Sequence, residues 1–208
     1  MRLSLLGGGL LGLALCVSCP AQGADLREPA QVVSETAGKI LDSLNSRGAE
    51  FEAQPELMED LVRNDLLPVL DVHYSARLIL GREVRSASEA QVKAFADAMS
   101  NVLIERYARG LLQYRNREQL EVMPLRGELN ERMTRVRTRV RMTNGNHIPV
   151  DYVFHKTDDG WKAFDVIVEG ISYVTTYRNQ IMPEVQATGI DAVIARLGRG
   201  ELLLNEQK

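Results

Sequence analysis

A chain of 208 residues with 45% hydrophobic and 25% charged residues has the make-up of a folded globular domain, long enough to bury a sizeable core. Its 25 basic and 28 acidic residues give a net charge of −3, which excludes a polybasic nucleic-acid binder or a protein that adheres to acidic membranes by charge. Both cysteines, Cys16 and Cys19, fall in the first twenty residues, so no disulfide framework is encoded downstream.

The N-terminus reads as an export signal. Arg2 supplies the positive start, Leu3 to Val17 the apolar run, and Ser18 to Asp25 small and polar residues with cleavage after Ala21, Gly23 or Ala24. The run is short of the ~20 residues a spanning helix needs. Residues 1–24 are therefore expected to be removed, which takes away Arg2 alone among charged residues and leaves 25–208 as a single domain. Lipid attachment at Cys19 is the alternative. It is disfavoured because Cys16 stands where an aliphatic residue is wanted.

Residues 30–115 have helical spacing. Val33, Ala37, Ile40, Leu41 and Leu44 form one stripe, with Gly48 as its expected stop, and Pro55 opens a second helix. Pro68 interrupts the dense run Leu66 to Leu70, and Gly81 breaks the pattern again. Ser88 and Gln91 form a capping box before a long helix from about Glu89 to Arg115. Its apolar stripe is Val92, Phe95, Ala96, Met99, Leu103, Tyr107, Leu111 and Tyr114.

From 118 to 169 the period changes to two. Val136, Thr138 and Val140 alternate with Arg135, Arg137, Arg139 and Arg141; Ile148, Val150, Tyr152 and Phe154 follow, then Phe164, Val166 and Val168. Pairing Thr143 with His147 and Thr157 with Trp161 around three-residue loops sets Val140 against Val150, Val136 against Phe154, Phe154 against Phe164, Tyr152 against Val166 and Val150 against Val168. One apolar face then crosses three strands. The arginines share the outer face, Arg139 opposite Asp151 and Arg137 diagonal to Asp151 and Asp165, and read as a solvated surface of weak ion pairs, with partner docking as the rival.

Residues 171–198 return to helical spacing. A helix beginning near Ser172 is expected to close at Pro183, and Thr188 with Asp191 to cap a short helix that Gly198 and Gly200 stop. Glu169-Gly170 is the hinge between strand and helix.

Catalytic and metal-binding patterns are missing. His73, His147 and His155 share no ligand spacing, and His147 and His155 are expected to be exposed. Gly170-Ile-Ser-Tyr-Val174 lacks the second glycine of a nucleophile elbow, and the mature chain has no phosphate-cradling glycine motif. Asp151 and Asp165 fall on the outer face, leaving Thr138 and Tyr152 as the polar strand groups inside. No catalytic residue and no metal site is assigned.

Two stretches carry a family resemblance. Residues 74–114, YSARLILGREVRSASEAQVKAFADAMSNVLIERYARGLLQY, resemble the helical half of the MlaC, or toluene-tolerance, family. Residues 161–181, WKAFDVIVEGISYVTTYRNQI, resemble its second hallmark, an Asp-Val strand, a Glu-Gly-Ile-Ser turn and a Tyr-Arg-x-Gln helix. Thr176 and Val84 depart from it, at positions where Asn and an aromatic are common.

The resemblance implies an α+β fold in which an antiparallel twisted sheet of the cystatin-like or nuclear-transport-factor-like kind packs against several helices around an apolar pocket. It further implies a periplasmic phospholipid carrier, with bound phospholipid as cargo and no cofactor. Its partners would be an outer-membrane lipoprotein/porin complex and an inner-membrane ABC transporter complex of a system maintaining outer-membrane lipid asymmetry. On that reading Leu103, Tyr107, Val140, Val150, Tyr152, Phe154, Val166, Val168, Val174 and Tyr177 line the pocket. The residues leave two other classes open, an enzyme of the same cone-shaped fold acting on a small apolar substrate and a non-catalytic periplasmic adaptor.

Overall fold

The computed structural model describes residues 27–111, 119–142 and 145–201. The expected export signal with Cys16 and Cys19, the expected helix end at Arg115 with Tyr114, and Thr143 and Asn144 of the first hairpin lie outside these residues.

Helix α1 (Pro29–Ala53) starts with Pro29 at its first position and a capping box in which the Glu28 N–H donates to Gln31 Oε1 at 3.0 Å. It does not stop at Gly48. That glycine is buried inside the helix, which continues because Phe51 is fully buried against Met58 and Leu61 of α2 (Glu56–Leu61). Burying a Phe outweighs the ~1 kcal/mol that a mid-helix glycine costs. Pro68 interrupts the next segment as expected. A π-turn over Val62–Leu66 gives way to a 3-10 turn over Leu67–Val69.

Helix α3 (Val72–Leu80) is capped by Asp71, whose Oδ1 accepts the Tyr74 N–H at 2.8 Å, and ends at Gly81 with φ +55°. Helix α4 (Glu89–Leu111) has the expected capping box: Ser88 N–H donates to Gln91 Oε1 at 2.9 Å and Gln91 N–H to Ser88 Oγ at 3.2 Å. Gln91 Nε2 also donates to the Asp191 carboxylate at 2.9 and 3.0 Å, tying α4 to the last helix.

Strands β1 (Gln119–Val122), β2 (Thr134–Arg141), β3 (His147–Thr157), β4 (Gly160–Val168) and β5 (Ile171–Ser172) form an antiparallel meander in chain order. The expected faces of β2 and β3 are observed, whereas Phe164 of β4 leaves the inner face; the partners in the first hairpin differ by two residues. Arg141 pairs with His147, and the Met142 N–H donates to the Asn146 carbonyl at 2.7 Å one step nearer the turn, so Val140 meets Ile148, Thr138 meets Val150 and Val136 meets Tyr152. Arg137, not Arg139, stands opposite Asp151, and the ion pair there is with Arg135 at 3.6 Å.

In the second hairpin Val150 meets Val168 and Tyr152 meets Val166 as expected. Nearer the turn, Phe154 meets Ala163 rather than Phe164, and Thr157 meets Gly160, because β4 carries a bulge beside Val153 and Phe154. The extra residue frees Phe164 to pack with Tyr74 and His155, ring centroids 5.1 and 5.3 Å away.

Glu169 and Gly170, φ +51° and +86°, turn β4 into β5, and α5 (Tyr173–Thr188) follows. Pro183 sits inside α5 and does not end it. Its missing N–H orphans the Asn179 carbonyl, and Asn179 is exposed, so solvent can satisfy that group. Helix α6 (Ile190–Gly198) lacks the expected Thr188/Asp191 box; its N-cap is Gly189, Thr188 donates back to the Glu184 carbonyl at 2.9 Å, and Asp191 serves Gln91.

Among the described residues, three buried clusters result. One joins α3, α4, α5 and α6 through Leu80, Phe95, Met99, Tyr177, Ile181 and Leu197. A second holds the far half of α1 against α2 and α4 through Leu44, Phe51, Met58 and Ile104. The third seats the start of α1, Val32 and Val33, on Val136, Phe154, Trp161 and Ala163 of the sheet.

Candidate functional site

The inner sheet face has two halves. At the end beneath α1, Val136, Phe154, Trp161 and Ala163 are buried in a closed cluster. At the other end Val140, Ile148, Val150, Val166 and Val168 are only half-buried, and none belongs to any of the three clusters. Register places them side by side: Val140 against Ile148, Thr138 against Val150, Val150 against Val168. Tyr152, between Val136 and Val166, stands at the boundary.

The chemistry of this surface is hydrocarbon. Thr138, almost wholly buried, turns its hydroxyl to the Val150 carbonyl at 2.6 Å, and the Thr134 hydroxyl to the Asn130 carbonyl at 2.9 Å, so both present methyl groups. Tyr152 retains some accessible surface although protein surrounds its ring, and burial pushes its phenol pKa upward. The arginines project from the opposite face, and Arg135, Arg137, Arg139 and Arg141 are all exposed. A groove of about 130 Å³ lies away from this surface, among residues 124–129, Met133, Thr134, Arg135 and Arg137. That is well below the roughly 300–1,000 Å³ typical of ligand pockets.

The remaining expected lining residues sit elsewhere. Val174 and Tyr177 are buried within the α3–α6 cluster, and Leu103 packs on its margin, so all three hold helices together. Tyr107 belongs to α4, but its side chain is outside the described residues. Six of the expected residues, Val140, Val150, Tyr152, Phe154, Val166 and Val168, do share one sheet face.

The family model of the MlaC protein matches residues 34–199, most of the chain and both stretches that resemble it. The chain belongs to the MlaC family. It is 27% identical over 190 residues to the toluene tolerance protein ttg2D of Pseudomonas putida, covering 91% of this chain and 86% of that one. It is 23% identical over 175 residues to the intermembrane phospholipid transport system binding protein MlaC of Haemophilus influenzae, covering 81% and 80%. A phospholipid-binding protein from Ralstonia solanacearum, solved in complex with a phospholipid, has the same fold with a TM-score of 0.76 at 22% identity, covering 84% of this chain and 97% of that one.

The hallmark segments of this MlaC-family chain have structural explanations. Asp165 does not face arginine, as its alternation suggests. Its Oδ2 accepts the Ser172 hydroxyl at 2.6 Å and its Oδ1 the Val174 N–H at 3.0 Å, while Ser172 Oγ accepts the Thr175 N–H at 3.0 Å. The Asp-Val strand, the tight turn and the serine together cap α5. In the Tyr-Arg pair, Tyr177 fills the helical cluster and Arg178 Nε donates to the Leu78 carbonyl at 2.7 Å, in the last turn of α3.

His155 is also not exposed as expected. Its Nε2 lies 2.9 Å from Asp71 Oδ2, and its ring stacks on Tyr74 at 4.5 Å. Residues eighty positions apart in the chain meet there, beyond the reach of any local pattern. The cluster is a tether of α3 to the sheet: the Asp71 N–H donates to the Ala163 carbonyl at 2.8 Å, and the Ser75 hydroxyl donates to the Phe164 carbonyl at 2.7 Å. An Asp–His pair invites a catalytic reading, but Asp71 caps α3 with its other oxygen and the Ser75 hydroxyl faces backbone carbonyls. Among the described residues no three His, Cys, Asp or Glu side chains gather as metal ligands, and no helix is long and apolar enough to cross a membrane.

Proposed function

We propose that this protein is a periplasmic phospholipid carrier, exported by residues 1–24, that passes lipid between outer- and inner-membrane components of an ABC transport system maintaining outer-membrane lipid asymmetry. The observation that carries the reading is the half-covered hydrocarbon face of Val140, Ile148, Val150, Val166 and Val168, in a chain of the MlaC family. The names of the relatives support it: one is a binding protein of an intermembrane phospholipid transport system, and the fold-mate was solved with a phospholipid.

The physics of the task matches such a surface. At ~0.8 kcal/mol per methylene, two acyl chains of about thirty methylenes cost on the order of 20 kcal/mol if left in water. A shuttle offsets this with apolar walls and needs no covalent step of its own. Energy for directional transfer would come from the ATPase of the inner-membrane partner.

The test is organic extraction of protein produced with its export signal, followed by lipid mass spectrometry. Near-stoichiometric phospholipid is expected. Protein that emerges folded and free of phospholipid would overturn the carrier reading in favour of a filled-core adaptor.

A further inference from the structure

The inner sheet face carries three side chains with hydroxyl groups in its central strands, and two are accounted for. Thr134 and Thr138 turn theirs to backbone carbonyls. Tyr152 has no hydrogen-bond partner among the described residues, although its ring lies between Val136 and Val166 and packs on the closed cluster. A phenol so placed is a polar group at an apolar wall, and such groups ordinarily find a partner. Burial raises its pKa, so at neutral pH it keeps its proton and is a hydrogen-bond donor.

We propose that the Tyr152 hydroxyl is the polar anchor of the site, donating a hydrogen bond to an ester carbonyl of a bound diacyl phospholipid. This rests on the carrier reading. Acyl tails have no acceptor, so the partner lies at the glycerol esters or at the phosphodiester. The surroundings select the ester. Tyr152 is bordered by valines and Phe154, whereas Arg135, Arg137 and Arg139 project from the opposite face of the sheet. An anionic phosphodiester brought to the phenol would lose water on the face away from these arginines, while a neutral carbonyl needs one donor. The residue thereby fixes the depth of the lipid: esters at Tyr152, tails along Val150, Val166 and Val168.

The experiment strips the full mature protein of lipid and reloads it from an equimolar mixture of a diacyl phosphatidylglycerol and its dialkyl-ether analogue. Bound lipid is then counted by mass spectrometry. The ether keeps the tails and the phosphodiester but lacks the carbonyls. The native protein is expected to prefer the ester about three- to tenfold, the value of one neutral hydrogen bond, and Tyr152→Phe to bring the ratio close to one. An unchanged preference in Tyr152→Phe, or no preference in the native protein, overturns the assignment. Separate titrations with each lipid add a further check: an equal loss for both in Tyr152→Phe moves the acceptor to the phosphodiester and also overturns it. Native protein that takes up neither lipid has failed as a carrier, a result distinct from any of these.

Discussion

Asp165 receives hydrogen bonds from the Ser172 hydroxyl and the Val174 N–H, and so satisfies donors at the start of α5 that have no partner within the helix. Asp165→Ala removes both acceptors and is expected to destabilise the fold by about 2 kcal/mol, seen as a lower urea midpoint at unchanged slope. Asp165→Asn, keeping one acceptor oxygen, should recover part of that loss. Tyr152 gives a prediction in pH. Its folded-state pKa is raised by burial, so the native state holds the phenol proton more tightly than the unfolded chain does. The stability it contributes is complete below the unfolded value near 10 and is lost as pH rises through the folded value. Alkaline titration by tyrosinate absorbance should therefore show a late-ionising tyrosine that Tyr152→Phe removes; its persistence in the variant would assign it elsewhere. The sequence alone could place Tyr152 on the inner face, since alternation needs only parity. It could not show that Asp165 serves α5 rather than arginine, because the bulge beside it and the fold-back at Glu169-Gly170 are features of tertiary structure.

At the scale of elements, patterning reports faces well and partners poorly. A shift of two residues in an antiparallel pair leaves every side chain on its face, so the alternation of β2 and β3 accepts either Val136–Phe154 or the observed Val136–Tyr152 pairing. The turn decides between them: the 2.7 Å bond from the Met142 N–H to the Asn146 carbonyl belongs to the observed register. Helix ends mislead for the opposite reason: Gly48 and Pro183 are local stop signals overridden by burial beyond them, of Phe51 in α1 and of Val185 in α5. The override has a cost that can be measured. Pro183 is exposed and deprives α5 of one hydrogen bond, so Pro183→Ala should stabilise the protein by about 1–2 kcal/mol, the helix-interior penalty less the proline's restriction of the unfolded chain. A fall in melting temperature would show instead that the proline shapes a bend that α5 needs to reach α6.

In the whole molecule, α1 spans from the sheet cluster at Val32 and Val33 to the helical cluster at Leu44 and Phe51, while Val140, Ile148, Val150, Val166 and Val168 of the inner face belong to neither. On the carrier reading, stability and binding are carried by different parts: the filled clusters hold the fold, and the half-buried part of the inner face takes the lipid. Two consequences separate a carrier from a filled-core adaptor. A lipid that binds only the folded chain stabilises it by mass action, ~2.7 kcal/mol at a hundredfold excess over Kd, and a domain of this size shifts by about 2–4 °C per kcal/mol. Delipidated native protein should therefore melt roughly 5–10 °C below the loaded form. Val150→Trp puts an indole into the unfilled half, between Thr138 and Val168. If that space belongs to acyl chains, the variant folds, leaves production without phospholipid, and melts at the same temperature before and after extraction. If the space were packed core, the same indole would overfill it at a cost of about 1–3 kcal/mol or more, and the native protein would show no dependence on lipid at all. The two outcomes are opposite in both measurements, because one surface cannot be both a wall awaiting a ligand and an interior already filled.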